Sequence, residues 1–143
     1  MLSIRPFLCL IFATAILADF PLYIDELEDL VKGADRYSLK LLDHDKSSPR
    51  SAVKKEFDDI LANQTSAIKN AYSTIVAAKE ARRQAKEEAE LAKATALGVA
   101  AVYEEIQSVK GDLSLSEREA SRQEKTLERR LGRGWNSASS EEY

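Results

Sequence analysis

The sequence predicts an all-α protein. It reads as an elongated helical hairpin or a three-helix, coiled-coil-like bundle with a long central helix, following a cleaved signal peptide. Three observations carry this. Helix breakers are scarce, with five Gly and three Pro in 143 residues. Apolar residues recur at spacings of three and four over most of the chain. The one cysteine, Cys9, falls inside the leader, so the mature chain is cysteine-free and cannot rely on disulfides.

Residues 1–18 have the layout of a secretory leader. One basic residue, Arg5, precedes an uncharged run from Pro6 to Ala18, and the run ends in small residues before Asp19. The run is too short to span a bilayer, which takes about 20 residues. Cleavage is therefore expected after Ala18, giving a secreted, extracellular protein with no stable membrane span. The mature chain would hold 125 residues, one domain's worth. Without cysteines it must be held by helix packing, self-association or a partner.

Charge narrows the function classes. The full chain has 21 basic and 24 acidic residues, and Arg5 is the only charge in the leader. Neither half of the mature chain forms a basic patch, which argues against nucleic acid. It argues equally against a lytic cationic helix, whose polar face must be basic.

The first helix is expected over residues 22–42. Pro21 stands at its start, where a missing N–H does no harm. Ile24, Leu27, Val31, Ala34, Ser38 and Leu41 form its stripe, widened by Leu30, Tyr37 and Leu42. A polar loop from Asp43 to Arg50 follows, closed by Pro49.

The second helix is expected over 51–110, with Ser51 as its N-cap. A 4-3-4-3 rhythm begins at Val53 and continues through Ala67, Ala71 and Ala78 toward Ala96, the spacing of a coiled-coil seam. The packing seam is assigned to Val53, Phe57, Ile60, Ile68, Ala71 and Ile75; beyond Ala78 it is almost all alanine. A break at 63–66 or at Gly98 is compatible with the same pattern. The third helix is expected over 114–131, with capping boxes offered by Ser114/Glu117 and Ser116/Glu119. Residues 132–143 read as a disordered tail.

The inventory of reactive groups is poor. His44 is the only histidine, and Asp43-His44-Asp45 cannot turn three adjacent side chains on one ion without strain. The adjacent pairs Glu87-Glu88 and Glu104-Glu105 diverge by about 100° on a helix. No catalytic, cofactor-binding or metal-binding residue is assigned. Asn63-Gln64-Thr65 is an N-glycosylation sequon, with Asn63 projecting away from the apolar stripe. Arg129-Arg130 and the Arg130–Arg133 stretch fit basic processing patterns, and Ser139, Ser140 and Tyr143 lie beside Glu141 and Glu142.

The pattern points to a secreted non-enzymatic helical protein acting through a protein partner or through self-association. The alternative is an amphipathic-helix carrier of lipid or another apolar ligand. N-terminal sequencing of the secreted protein is expected to read Asp19 first; recovery of Met1 or Leu2 would defeat the soluble, cleaved reading.

Overall fold

The computed structural model describes residues 21–132. The expected leader, with its expected cleavage after Ala18, and the expected tail beyond Gly132 lie outside the described residues. The described chain is all-helical and holds no strand among its described residues. Its helices are α1 (Ile24–Leu30), α2 (Ala34–His44), α3 (Arg50–Ala62), α4 (Ser66–Ala96), α5 (Ala100–Gly111) and α6 (Glu117–Leu131).

The helix expected over 22–42 is two helices. Val31 turns extended after α1, and Gly33 precedes α2 with φ +67°, a conformation open to glycine at little cost. The break changes which residues face inward. Leu39 and Leu42 are buried on α2, whereas Tyr37 and Leu41, expected on the apolar stripe, are exposed.

The helix expected over 51–110 is three. It starts one residue early, at Arg50, with Pro49 rather than Ser51 at the N-cap. The first interruption lies at residues 63–65. There Thr65 takes an extended conformation and its Oγ1 accepts from the Ile68 N–H, capping α4. The second is centred on Gly98 at φ +72°, where the Val99 N–H bonds back to the Ala94 carbonyl. α6 begins at Glu117 rather than Ser114; of the two capping boxes the spacing offers, the one between Ser116 and Glu119 forms, while Glu117 bonds to Arg50 instead of Ser114.

The main core joins α1 to α4. Leu22, Ile24, Leu27, Val31, Leu39, Leu42, Val53, Phe57 and Tyr72 are buried together, with Ile60, Leu61, Ile68 and Val76 partly buried against them. The Phe57 and Tyr72 rings meet at 5.7 Å between centroids and 53° between planes. The Tyr72 hydroxyl donates to the Leu22 carbonyl at 2.6 Å, so the ring is buried without stranding its polar end. α5 packs on α4 and α6, and Ala94, Tyr103, Ile106, Ala120 and Leu131 are the buried apolar side chains of that end.

α4 is long, at 31 residues or about 46 Å, and it serves both ends. Its inward face is apolar at Ile68 and Tyr72, then charged at Glu80, Arg83, Glu87 and Glu90, then small at Ala94. Its outer face carries Ala78, Ala81, Ala85, Ala89, Ala92 and Ala96, all exposed. An apolar period stays on one face only while the helix is continuous. The turn at 63–65 ends that continuity, so the seam begun by Val53 and Phe57 does not carry its alanine half into the core. Ala71 and Ile75 are half-buried beside the core rather than within it.

Phe57→Ala is expected to lower unfolding free energy by about 3–5 kcal/mol. Ala85→Ser, on the outer face of α4, should cost less than about 0.5 kcal/mol. Urea unfolding followed by helicity checks both; equal losses would mean that the alanine face is buried.

Candidate functional site

Helix ends create the site. Each helix leaves four N–H groups and four carbonyls without partners inside itself. Here three helix ends satisfy one another. The loop before α3 and the loop before α6 pair at Pro49 and Ser116. The Arg50 and Ser51 N–H groups donate to the Leu115 and Leu113 carbonyls at 3.0 and 2.8 Å, and the Arg118 N–H donates to the Lys46 carbonyl at 3.0 Å. Both loops are shaped the same way. Asp45 accepts from the Ser47 and Ser48 N–H groups, each at 3.0 Å, and Asp112 accepts from the Ser114 N–H at 2.8 Å.

Arg50 closes this junction. It is 4% exposed. Its guanidinium donates to the Val109 and Lys110 carbonyls at 3.1 and 2.9 Å, capping α5, and to the Glu117 carboxylate at 2.7 and 3.1 Å, in the first turn of α6. A cation at the C-terminal end of α5 and an anion at the N-terminal end of α6 also suit the two helix dipoles.

Above the junction lies a cavity of about 780 Å³ between the two ends of the bundle. Its apolar part comes from Leu22, Ile24, Leu42 and Val53. α4 contributes Arg83, Lys86, Glu87 and Glu90, while Gln107, Lys110, Glu117 and Glu124 come from α5 and α6. Several of these charges are already engaged. Arg83 bonds to Glu80 and Glu87, and Glu90 accepts from the Tyr103 hydroxyl at 3.1 Å. Glu124 has no hydrogen-bond or ion-pair partner among the described residues. Burial pushes its carboxyl above the usual range, against the opposing pull of Lys110 and Arg50.

The start of α1 borders the same cavity and is held to α4. Tyr23 sits at φ +48°, a left-handed conformation that costs a non-glycine residue on the order of 1 kcal/mol or more. Its hydroxyl donates to Glu80 at 3.1 Å, and the Lys79 ammonium lies 5.8 Å from its ring centre while pairing with Glu26.

No known protein family, curated protein or solved structure matches this chain.

The residues singled out from sequence do not converge here. Val53 and Phe57 are in the core, Ile60 and Ile68 lie against it, and Ala71 and Ile75 are half-buried outside it. Asn63 is exposed in the turn between α3 and α4, at the opposite end of α3 from Arg50. His44 is exposed at the end of α2, its Nδ1 2.9 Å from the Lys40 carbonyl oxygen. Among the described residues no group of three or more His, Cys, Asp or Glu could hold a metal ion. Arg129 and Arg130 are exposed in the last turn of α6, where Arg130 pairs with Glu105 at 2.7 Å; Arg133, Ser139, Ser140 and Tyr143 lie outside the described residues.

Arg50 and Glu124 were not anticipated. Arg50 did leave a signal, since it stands three residues before Val53 and seven before Phe57, in phase with the apolar stripe. A charged residue in phase with a core face must bring its partners inside with it.

Arg50→Ala should cost at least about 2 kcal/mol, because it strands helix-end carbonyls and a carboxylate. Glu117→Gln should cost less, since its side chain is 36% exposed. Denaturant midpoints measure both.

Acid response should divide by sign. Hydrogen bonds from Ser48 and Ser47 hold Asp45 below its ordinary value, and Ser114 does the same for Asp112. Their contribution is present above the ordinary carboxylate range and is lost as pH falls through the lowered values. Glu124 is raised, so its contribution is present at low pH and is lost as pH rises through its folded value. Melting temperature should fall from about pH 5 to about pH 2, and Asp45→Asn should flatten that fall. Glu124→Gln should raise the melting temperature at neutral pH. An unchanged acid slope in Asp45→Asn would remove the turn from this account.

Proposed function

We propose that this chain is a secreted, non-enzymatic helical protein that acts by binding another protein or a second copy of itself. The observation that carries the reading is the outer face of α4. The apolar rhythm of the sequence continues there, yet its alanines face solvent, with Leu91 38% exposed nearby and Leu97 54% exposed just past the end of the helix. The coiled-coil-like arrangement suggested by the heptad spacing then belongs between chains, along this face, rather than within one. The leader at residues 1–18 supports secretion, and the sequon in the exposed turn at Asn63 supports a glycan at that end of the bundle.

A photo-activated crosslinker placed at position 85 is expected to join the chain to a second copy or to another protein in the fluid that receives it. A second crosslinker on the inward face, at Val76, should not. Absence of any adduct from position 85 would sink the reading.

A second reading, carriage of a small apolar ligand, is favoured by the cavity. Its volume lies within the range of about 300–1,000 Å³ used for drug-sized molecules. Its charged walls suit a long lipid tail poorly. Lipid vesicles that raise helicity and retain the protein would favour lipid over a compact ligand. No helix of the described residues is long and apolar enough to cross a membrane.

A further inference from the structure

We propose that the cavity between the two ends of the bundle binds a compact organic amine, an ammonium group on an apolar body, with Glu124 as the carboxylate that receives the ammonium. The inference rests on the carrier reading above and specifies its ligand. Two features of the lining select this chemistry. Leu22, Ile24, Leu42 and Val53 give the cavity an apolar side, each of them less than a tenth exposed, and all four belong to the same buried core as Phe57. That side is held in place by packing and can receive an apolar body without rearranging.

The charged side is unbalanced. The lining carries seven carboxylates, Asp25, Asp43, Asp45, Glu87, Glu90, Glu117 and Glu124, against five cations, Lys46, Arg50, Arg83, Lys86 and Lys110. The buried cation, Arg50, is committed to Glu117 and the end of α5, and Arg83 is committed to Glu80 and Glu87. Neither is available to an anion without breaking a junction of the fold, and Lys86 pairs with Glu90, which leaves Lys46 and Lys110 as the remaining lining cations against the excess of carboxylates. Asp45 is committed in the same way to its serine turn. Glu124 differs from these. It is half-buried on α6, faces the cavity, and has no hydrogen-bond or ion-pair partner among the described residues.

Glu124 is half-removed from water and feels Lys110 and Arg50 without bonding to either, and a ligand that supplies a direct bond can relieve the remaining cost. An ammonium placed beside Glu124 would supply the missing charge-assisted bond while its apolar body covered Leu42 and Val53. Burial, helped by Glu117 and Glu128 and opposed by Lys110 and Arg50, holds the Glu124 proton more tightly than usual, so a bound cation should lower that affinity, and amine binding should weaken as acid protonates the carboxyl. An anionic ligand of the same size meets the opposite balance. Asn63 lies at the far end of α3, so a glycan there would leave the cavity open.

The test uses three probes of one shape, measured by calorimetry on the full secreted chain. Phenethylamine carries the charge, phenethyl alcohol is its neutral counterpart, and 3-phenylpropanoate is an anion of similar size. Phenethylamine should bind with millimolar affinity or better, and the other two at least about tenfold more weakly, the discrimination expected of one hydrogen bond to a charged group. Glu124→Gln keeps the size of the side chain and lies outside the core. It should weaken phenethylamine by about tenfold and leave the alcohol unchanged. Amide resonances of residues bordering the cavity, among them Val53, Glu87 and Glu124, should shift on titration, while those of Ala81 and Ala85 should not. No binding of phenethylamine at millimolar concentration would overturn the proposal, as would binding that Glu124→Gln leaves intact. Equal binding of amine and alcohol would overturn the selection of a cation while leaving apolar carriage standing. Failure of all three probes would remove both.

Discussion

The structure depends on one constraint, that the ends of α3, α5 and α6 meet and must satisfy one another. A helix end away from water needs partners for its free N–H and carbonyl groups. Arg50 supplies them for α5 and at the same time pairs with the first turn of α6. The backbone of the two serine-turn loops supplies the rest. Together with the packing of α5 on α4, this polar junction sets where α5 and α6 lie relative to the N-terminal core. The cavity follows from that placement. Two apolar clusters are held apart by a junction of hydrogen bonds, and α4 crosses the gap between them with charged residues.

Much of this was legible in the sequence. Helix was evident from period and from the shortage of breakers. Of the two capping boxes the spacing offered, the one at Ser116 and Glu119 formed, and Val53 and Phe57 lie in the core. The errors came from continuity. Gly33 interrupts a stripe that otherwise runs unbroken from Ile24 to Leu42, and once it does, Leu39 replaces Leu41 on the inward side. The turn at 63–65 acts in the same way on α3 and α4. Period alone cannot report such a break, because each fragment keeps its own good spacing.

The site was less legible, for a different physical reason. Its members come from the start of α1, the end of α2, the start of α3, the middle of α4 and from α5 and α6, and no local spacing connects them. Arg50 stood out only as a charge in phase with apolar neighbours. Glu124 had no mark at all, since a lone glutamate on a charged helix looks like every other solvated residue. Its environment is set by how α5 and α6 fold back on the junction.

The outer face of α4 has a thermodynamic signature of its own. Alanine has no side-chain rotamers to freeze, whereas covering lysine, glutamate or methionine costs up to about 2 kcal/mol per side chain. A partner settling on Ala81, Ala85, Ala89 and Ala92 would order nothing at those positions, and only flanking side chains such as Arg82 and Glu88 would lose freedom. It also removes little apolar area from water, so the heat-capacity change of association would be small. The strength of such a contact would grow with the length of helix engaged. The 31 residues of α4 set that length, so graded overlap rather than any single anchoring side chain would tune the affinity.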